Sequence, residues 1–201
     1  VAARDTRQGI LEAATDLFGR RGVDAVSLDV IAAEVGVAKQ TLLYWFASKD
    51  DLVQAVLVQA ATQLGVAIEA AIRSASDDPL DRIEAVVRAV FRPAVRRPAL
   101  LGLIREVSRL SPAVGERFQN ELRPLVDRAV AYLHKEMDRG RIRHADPRLI
   151  AGLCYATVTG IATEPEVLRS VGWQPTTAEL RRLRTELLAF LRAALTPVRP
   201  T

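Results

Sequence analysis

The stretch from Ser27 to Lys49, SLDVIAAEVGVAKQTLLYWFASK, constrains this chain more than any other. Two short amphipathic helical patterns flank a tight turn at Val35-Gly36-Val37. The first pattern opens on Ser27 as N-cap, with Asp29 in the first turn, where an acid suits the positive end of the helix dipole. Its inward face is Ile31, Ala32 and Val35, at helical spacing. Gly36 provides the backbone freedom that a sharp helix stop requires. The second helix is expected over Lys39–Phe46, with Ala38 as cap and Val37 and Leu42 placed as a hydrophobic staple. Leu42 and Phe46, four residues apart, point inward and leave Lys39, Gln40, Thr41, Tyr44 and Trp45 for the surface. Two helices joined by so short a turn form a helix-turn-helix, whose second helix can enter a DNA major groove.

The rest of the chain reads as helices separated by punctuation. Asp5–Arg21 is a first helix, with a capping-box-like Asp5/Gln8 start, an apolar stripe of Ile10, Ala13, Ala14, Leu17 and Phe18, and a stop at Gly22. Ser48 caps a long helix from Lys49 to Ser74, which can link two domains mechanically. Pro79 suits the first position of a helix that ends at Arg92 before Pro93. Pro98 opens a segment rich in Leu100, Leu101, Leu103, Ile104, Val107 and Leu110, broken at Ser111-Pro112. Ala113–Arg139 is helical by pattern, with Pro124 expected to force a kink or a fresh start and Gly140 ending it. Asp146-Pro147 starts the penultimate helix, Pro165 and Gly172 mark an irregular stretch, and Thr176/Glu179 cap a last helix reaching Leu195. Thr196–Thr201 reads as a frayed tail. No alternating strand pattern and no internal repeat interrupts this order. The fold class is therefore all-α: an N-terminal three-helix helix-turn-helix domain over residues 1–48, and a helical domain over 49–201.

The quoted stretch resembles the DNA-binding region of TetR-family transcriptional regulators. The residues that carry the likeness are Ser27, Ile31-Ala32, Gly36-Val37, Thr41-Leu42, Phe46, Ser48-Lys49-Asp50 and Leu52. Ala38 stands where a serine cap is common, Leu43 where tyrosine is usual, and Trp45 where histidine is frequent. The likeness covers about the first fifty residues and is only architectural beyond them. It implies a DNA-binding regulator, with Ser27, Lys39, Thr41, Tyr44 and Lys49 on phosphates and Gln40 and Trp45 at base edges. A glutamine amide suits this because it can pair bidentately with adenine. It also implies a repressor acting as a homodimer through a four-helix arrangement of the last two helices of each chain. The small residues Gly152, Ala156 and Gly160 on the penultimate helix suit such an interface or tight packing within one subunit.

Charge alone does not point to DNA. The 201-residue chain carries a net +4, but residues 1–50 hold six basic and seven acidic side chains. Local placement is what favours a nucleic acid: between Gly36 and Ser48 stands Lys39 and no acid. Arg4 and Arg7 at the front of the first helix are further candidates for phosphate. With 49% hydrophobic and 26% charged residues the composition is that of a soluble protein. No apolar run is expected to span a membrane and no charged-then-apolar leader precedes the first helix. A single cysteine, Cys154, leaves no intrachain disulfide, so a reducing, cytoplasmic setting is expected.

Other chemistry finds no support in the pattern. There is no glycine-rich phosphate loop and no nucleophile-base-acid spacing, so an enzyme is not expected. No cofactor is expected either. His134 and Asp138, four apart, read as a surface pair rather than a metal site, and Cys154, the only cysteine, as a small hydrophobe. The segment from Pro79 to Gly172 is expected to hold a pocket for a small, largely apolar effector. Leu100, Leu101, Leu103, Ile104, Val107, Phe118, Tyr132 and Tyr155 are its candidate walls, and Arg105, Glu106 and Arg109 its polar anchor. The competing expectation is a helical ligand-binding or protein-interaction module that has lost specific DNA recognition. It rests on Leu43 and the acidic N-terminal balance.

Overall fold

The computed structural model describes residues 2–96, 112–163, 169–170, 172–174 and 176–197. Among these there are eight helices and no strand: α1 (Ala2–Arg21), α2 (Leu28–Val35), α3 (Lys39–Trp45), α4 (Lys49–Ser74), α5 (Pro79–Arg96), α6 (Pro112–Asp138), α7 (Pro147–Thr163) and α8 (Thr177–Leu195). The chain forms two compact units. The first runs to Gln63 and takes in a later stretch ending at Glu121; the second holds Leu64–Arg96 and the chain from Leu122 onward.

In the first unit α1 packs on α2 and α3. Ile10, Leu11, Ala14, Leu17 and Phe18 of α1 are buried with Val23 and Val26 of the following loop, Ile31 and Ala32 of α2, and Leu42 and Phe46. The first turns of α4 add Leu52, Val53, Val56 and Leu57. Leu11 widens the α1 stripe beyond the five residues that the spacing singled out.

Local caps explain where most helices begin and end. Ser27 Oγ accepts from the Val30 amide, Ser48 Oγ from Asp51, and Thr176 Oγ1 from Glu179. Asp78 Oδ1 accepts from Leu80 and Asp81, with Pro79 at the first helical position. Gly36 (φ 74°) and Gly140 (φ 66°) are left-handed and close Schellman motifs at the ends of α2 and α6.

Several boundaries differ from expectation. Helix α1 begins at Ala2, so Asp5 lies inside it and no capping box forms. Gln8 instead donates to Glu12 and accepts from Gln59 of α4. Helix α5 continues through Pro93 to Arg96 rather than ending at Arg92. A proline deletes one N–H bond and crowds the carbonyl four residues back; the helix nonetheless continues, with Val87 and Phe91 of the preceding turns buried in a core cluster. Helix α6 makes no fresh start at Pro124, one of the two outcomes expected there, and continues through it. Asn120 and Pro124 are both exposed, so water can take up the freed carbonyl. The membrane expectation also needs correction. By length and mean hydropathy (1.6) α4 is apolar enough to cross a bilayer. Its apolar residues from Leu52 to Ala61, however, supply the core of the first unit.

The second unit has two core clusters. Leu80, Leu133, Met137, Ile142, Ile150 and Leu195 form one; Val87, Phe91, Leu187, Leu188 and Leu191 form the other. Cys154 packs against both, and its partial burial raises the thiol pKa. Glu136 is the one buried charged residue among those described, and it is paired with Arg139 and Arg141.

Arg192 ties α8 to α5, donating from Nε to Glu84 (2.6 Å) and from a terminal nitrogen to Asp81 (2.5 Å). The Ser76 hydroxyl, then Arg192, hold the Asp81 carboxyl below its ordinary value of 3.8. A depressed carboxylate stabilises the fold above the unfolded value and ceases to do so as pH falls through the folded one. Asp81→Asn should therefore flatten the loss of stability below about pH 3.8. Arg192→Met should lower stability at neutral pH, and only modestly, since the site is partly solvated. Urea titrations across pH check both; equal acid sensitivity in wild type and Asp81→Asn would contradict the first.

Candidate nucleic-acid interface

Helix α3 is seven residues long and anchored by one side chain within it, Leu42, which is fully buried; Phe46 follows at its C-terminal end. Ala38 provides no side-chain cap. What remains of α3 faces outward. Lys39, Gln40, Thr41 and Tyr44 are exposed, Tyr44 at 80%, and Leu43 is exposed at 37%. Trp45 is half-buried and meets the Tyr44 ring edge to face, with centroids 5.2 Å apart. That contact limits the freedom of two large aromatics on a short helix.

The flanking candidates lie on neighbouring elements of the same unit. Ser27 is engaged as the α2 cap, and its hydroxyl proton stays available for a second bond. Lys49 is the first residue of α4 and is half-buried. Arg7 lies with its guanidinium 5.3 Å from the centre of the Phe46 ring, a cation–π contact that holds α1 to the end of α3. Arg4 has no described side chain. One contact was not foreseen: Lys39 Nζ is paired with Asp29 Oδ2 at 2.8 Å. The signal was present in the acid of the α2 first turn and the lysine opening α3, but only the turn geometry brings them together.

The second unit carries a different surface. Leu149, Leu153 and Tyr155 on α7 and Phe190 on α8 are each at least half exposed, and Val126 on α6 is exposed at 41%. Gly152 and Ala156 are exposed on α7, and nothing lies within 4 Å of where a Gly152 Cβ would stand. Gly160 follows on the same helix. An open groove of about 530 Å³ lies between α6 and α7. Val126, Val130, Ala151 and Tyr155 line it, with His134 and Arg148 among its polar residues. His134 Nδ1 is 2.8 Å from Asp138 Oδ2 in an exposed pair. Among the described residues no three potential ligands gather for a metal.

The expected effector walls are only partly visible. Phe118 is buried in the first unit. Tyr132 and Tyr155 belong to the second, where partial burial raises both phenol pKa values. Leu100, Leu101, Leu103, Ile104, Val107 and the Arg105/Glu106/Arg109 group lie outside the described residues.

Two families match the chain. Bacterial regulatory proteins of the tetR family match over residues 10–56, the helices just described. The AefR-like transcriptional repressor C-terminal domain matches over residues 81–194, more than half of the chain. The chain belongs to the TetR family. That family is one of DNA-binding transcriptional regulators, not of enzymes. A relative, the HTH-type transcriptional activator FasR of Mycolicibacterium smegmatis, is 38% identical over 89 residues. That alignment covers 44% of this chain and 40% of FasR. Among solved structures, the regulator FadR from Bacillus subtilis in complex with stearoyl-CoA is similar with a TM-score of 0.81. It is 18% identical, and the match covers 93% of this chain and 98% of that one. A transcriptional regulator from Saccharomonospora viridis in complex with choline gives a TM-score of 0.80 at 21% identity, covering 97% and 100%. At such identities these likenesses establish the fold.

Proposed function

We propose that the protein is a homodimeric transcriptional repressor that inserts α3 into the major groove of a palindromic operator and is released by a small, largely apolar effector. The observation that carries this reading is the division of α3. Leu42 faces the core and leaves Gln40, Thr41 and Tyr44 exposed on a helix with no acid. In the proposed complex Ser27, Lys39, Thr41, Tyr44 and Lys49 hold phosphates, while Gln40 and Trp45 meet base edges. Residues 1–48 form the DNA-binding domain and 49–201 the effector and dimerisation domain. The protein works in the cytoplasm, where its DNA is. Repression is favoured by the likeness of residues 81–194 to the AefR-like repressor C-terminal domain, although FasR, similar over a shorter stretch, is an activator. Ligands as unlike as stearoyl-CoA and choline occupy similarly folded regulators, which favours effector control without specifying the effector.

A second copy of the chain is the proposed cover for Leu149, Leu153 and Phe190. Apolar side chains this exposed on two helices mark an interaction surface, and symmetric dimers are the commonest oligomer. A second reading, a helical module without sequence-specific DNA binding, draws on the Asp29–Lys39 pair, which neutralises the one cation of α3.

Selection from random DNA separates the two. The regulator reading expects an enriched palindrome with half-sites about one helical turn apart, roughly 34–36 Å. Gln40→Ala should relax preference at one position per half-site by about 1–3 kcal/mol; Tyr44→Ala should weaken all sequences alike. Recovery of no palindrome leaves the second reading standing.

A further inference from the structure

We infer that Asp29 is a brake on DNA binding, which competes with phosphate for Lys39 and holds down the affinity of the recognition surface for DNA of any sequence. The inference rests on the regulator reading and deepens it. Lys39 is the only charged residue between Gly36 and Ser48. It is the first residue of α3, the end of a recognition helix that in this architecture approaches the DNA. Its ammonium is 2.8 Å from the Asp29 carboxylate, ten residues earlier in the first turn of α2. The side chains are 50% and 63% exposed, so the pair stands in solvent on the surface that α3 presents. An exposed ion pair of this kind is weak enough for a phosphate to open.

Two consequences follow from the geometry. In the free protein the leading cation of α3 is neutralised, so non-specific attraction to the phosphate backbone is low. On binding, Lys39 must either leave Asp29 or share its charge with it, and Asp29 then faces the DNA as an acid. Both effects weaken phosphate contacts, which carry no sequence information, and leave the base contacts of Gln40 untouched. The local charge balance fits this: residues 1–50 hold seven acids against six bases, and the acid nearest the α3 cation is the one paired with it.

The test uses the full chain and a random-sequence DNA duplex, titrated at several salt concentrations. Variants are Asp29→Asn, Lys39→Gln and the double variant, each checked for an unchanged unfolding midpoint. Asp29→Glu serves as the conservative control and should behave as wild type. Asp29→Asn should bind the duplex about three- to tenfold more tightly. Its plot of log affinity against log salt should be steeper by about 0.9, one further neutralised phosphate. Lys39→Gln should weaken binding more in the Asp29→Asn background than in wild type, because only there is the lysine free. Wild type that binds the duplex while Asp29→Asn binds no tighter overturns the brake alone. An equal effect of Lys39→Gln in both backgrounds overturns the competition. Failure of every variant to bind DNA at low salt overturns the regulator reading, and the brake with it.

Discussion

Leu153→Glu is expected to turn the proposed dimer into monomers. Leu153 is 55% exposed on α7, four residues from Leu149 at 61%, so no core contact is removed when it is replaced. A surface change of this kind moves the stability of one chain by only about 0.5 kcal/mol. In the proposed dimer the same side chain is covered by a second copy. A glutamate there would have to be desolvated without a partner, and on both chains at once by symmetry. Leaving a buried charge unpaired costs about 3–5 kcal/mol, roughly two to four orders of magnitude in the dimer dissociation constant for each of the two glutamates. Operator affinity should fall with it, because a monomer engages one half-site and loses the effective concentration that linkage provides. Analytical ultracentrifugation over a concentration series measures the first effect and operator titration the second. If Leu153→Glu sediments as wild type, the α7 face is not the dimer interface, and the exposed leucines need another partner.

What the sequence made legible was local. Ser27, Ser48 and Thr176 bond amides three residues away, so a cap can be recognised from spacing alone. Gly36 and Gly140 mark helix ends because only their backbone takes positive φ without strain. What failed was also local in form but decided elsewhere. Asp5 and Gln8 have the spacing of a capping box, yet the Gln8 amide bonds Glu12 and Gln59, and Gln59 lies 51 residues away. Pro93 read as a helix end and Pro124 as a kink or a fresh start because a proline's local penalty is visible, whereas the tertiary packing and solvation around it are not.

The candidate interface divides in the same way. The outward placement of Gln40, Thr41 and Tyr44 followed from Leu42 and Phe46 as inward anchors. The Asp29–Lys39 pair and the Arg7–Phe46 contact depend on how α1, α2 and α3 meet, and periodicity says nothing of that. An interface or tight packing at α7 was foreseen through its small residues. The exposed Phe190 was not, because a phenylalanine on an amphipathic helix reads as core until its neighbours are placed.

Leu42→Ala is expected to remove DNA binding by a different route, without touching any residue proposed to contact DNA. A seven-residue helix has no independent stability in water. This one also starts on Ala38 without a side-chain cap, so docking must hold it together. Leu42 is the one buried residue within α3, at 0% exposure, and it packs in the core that contains Ile31, Phe18 and Leu52. Truncating such a leucine costs about 2–5 kcal/mol, by lost burial and by the cavity left behind. In a chain of this length each kcal/mol lowers the melting midpoint by about 2–4 °C. The cost should also fall first on α3, whose other ties, Phe46 and the Asp29–Lys39 pair, lie at its two ends: hydrogen exchange of the α3 amides should accelerate more than that of α1 or α4. Tyr44→Ala is the counterpart, an exposed side chain whose loss should weaken DNA binding with the midpoint nearly unchanged. If Leu42→Ala keeps both its midpoint and its affinity, α3 is held by something other than Leu42, and the division of the helix into an anchored and a reading face loses its physical basis.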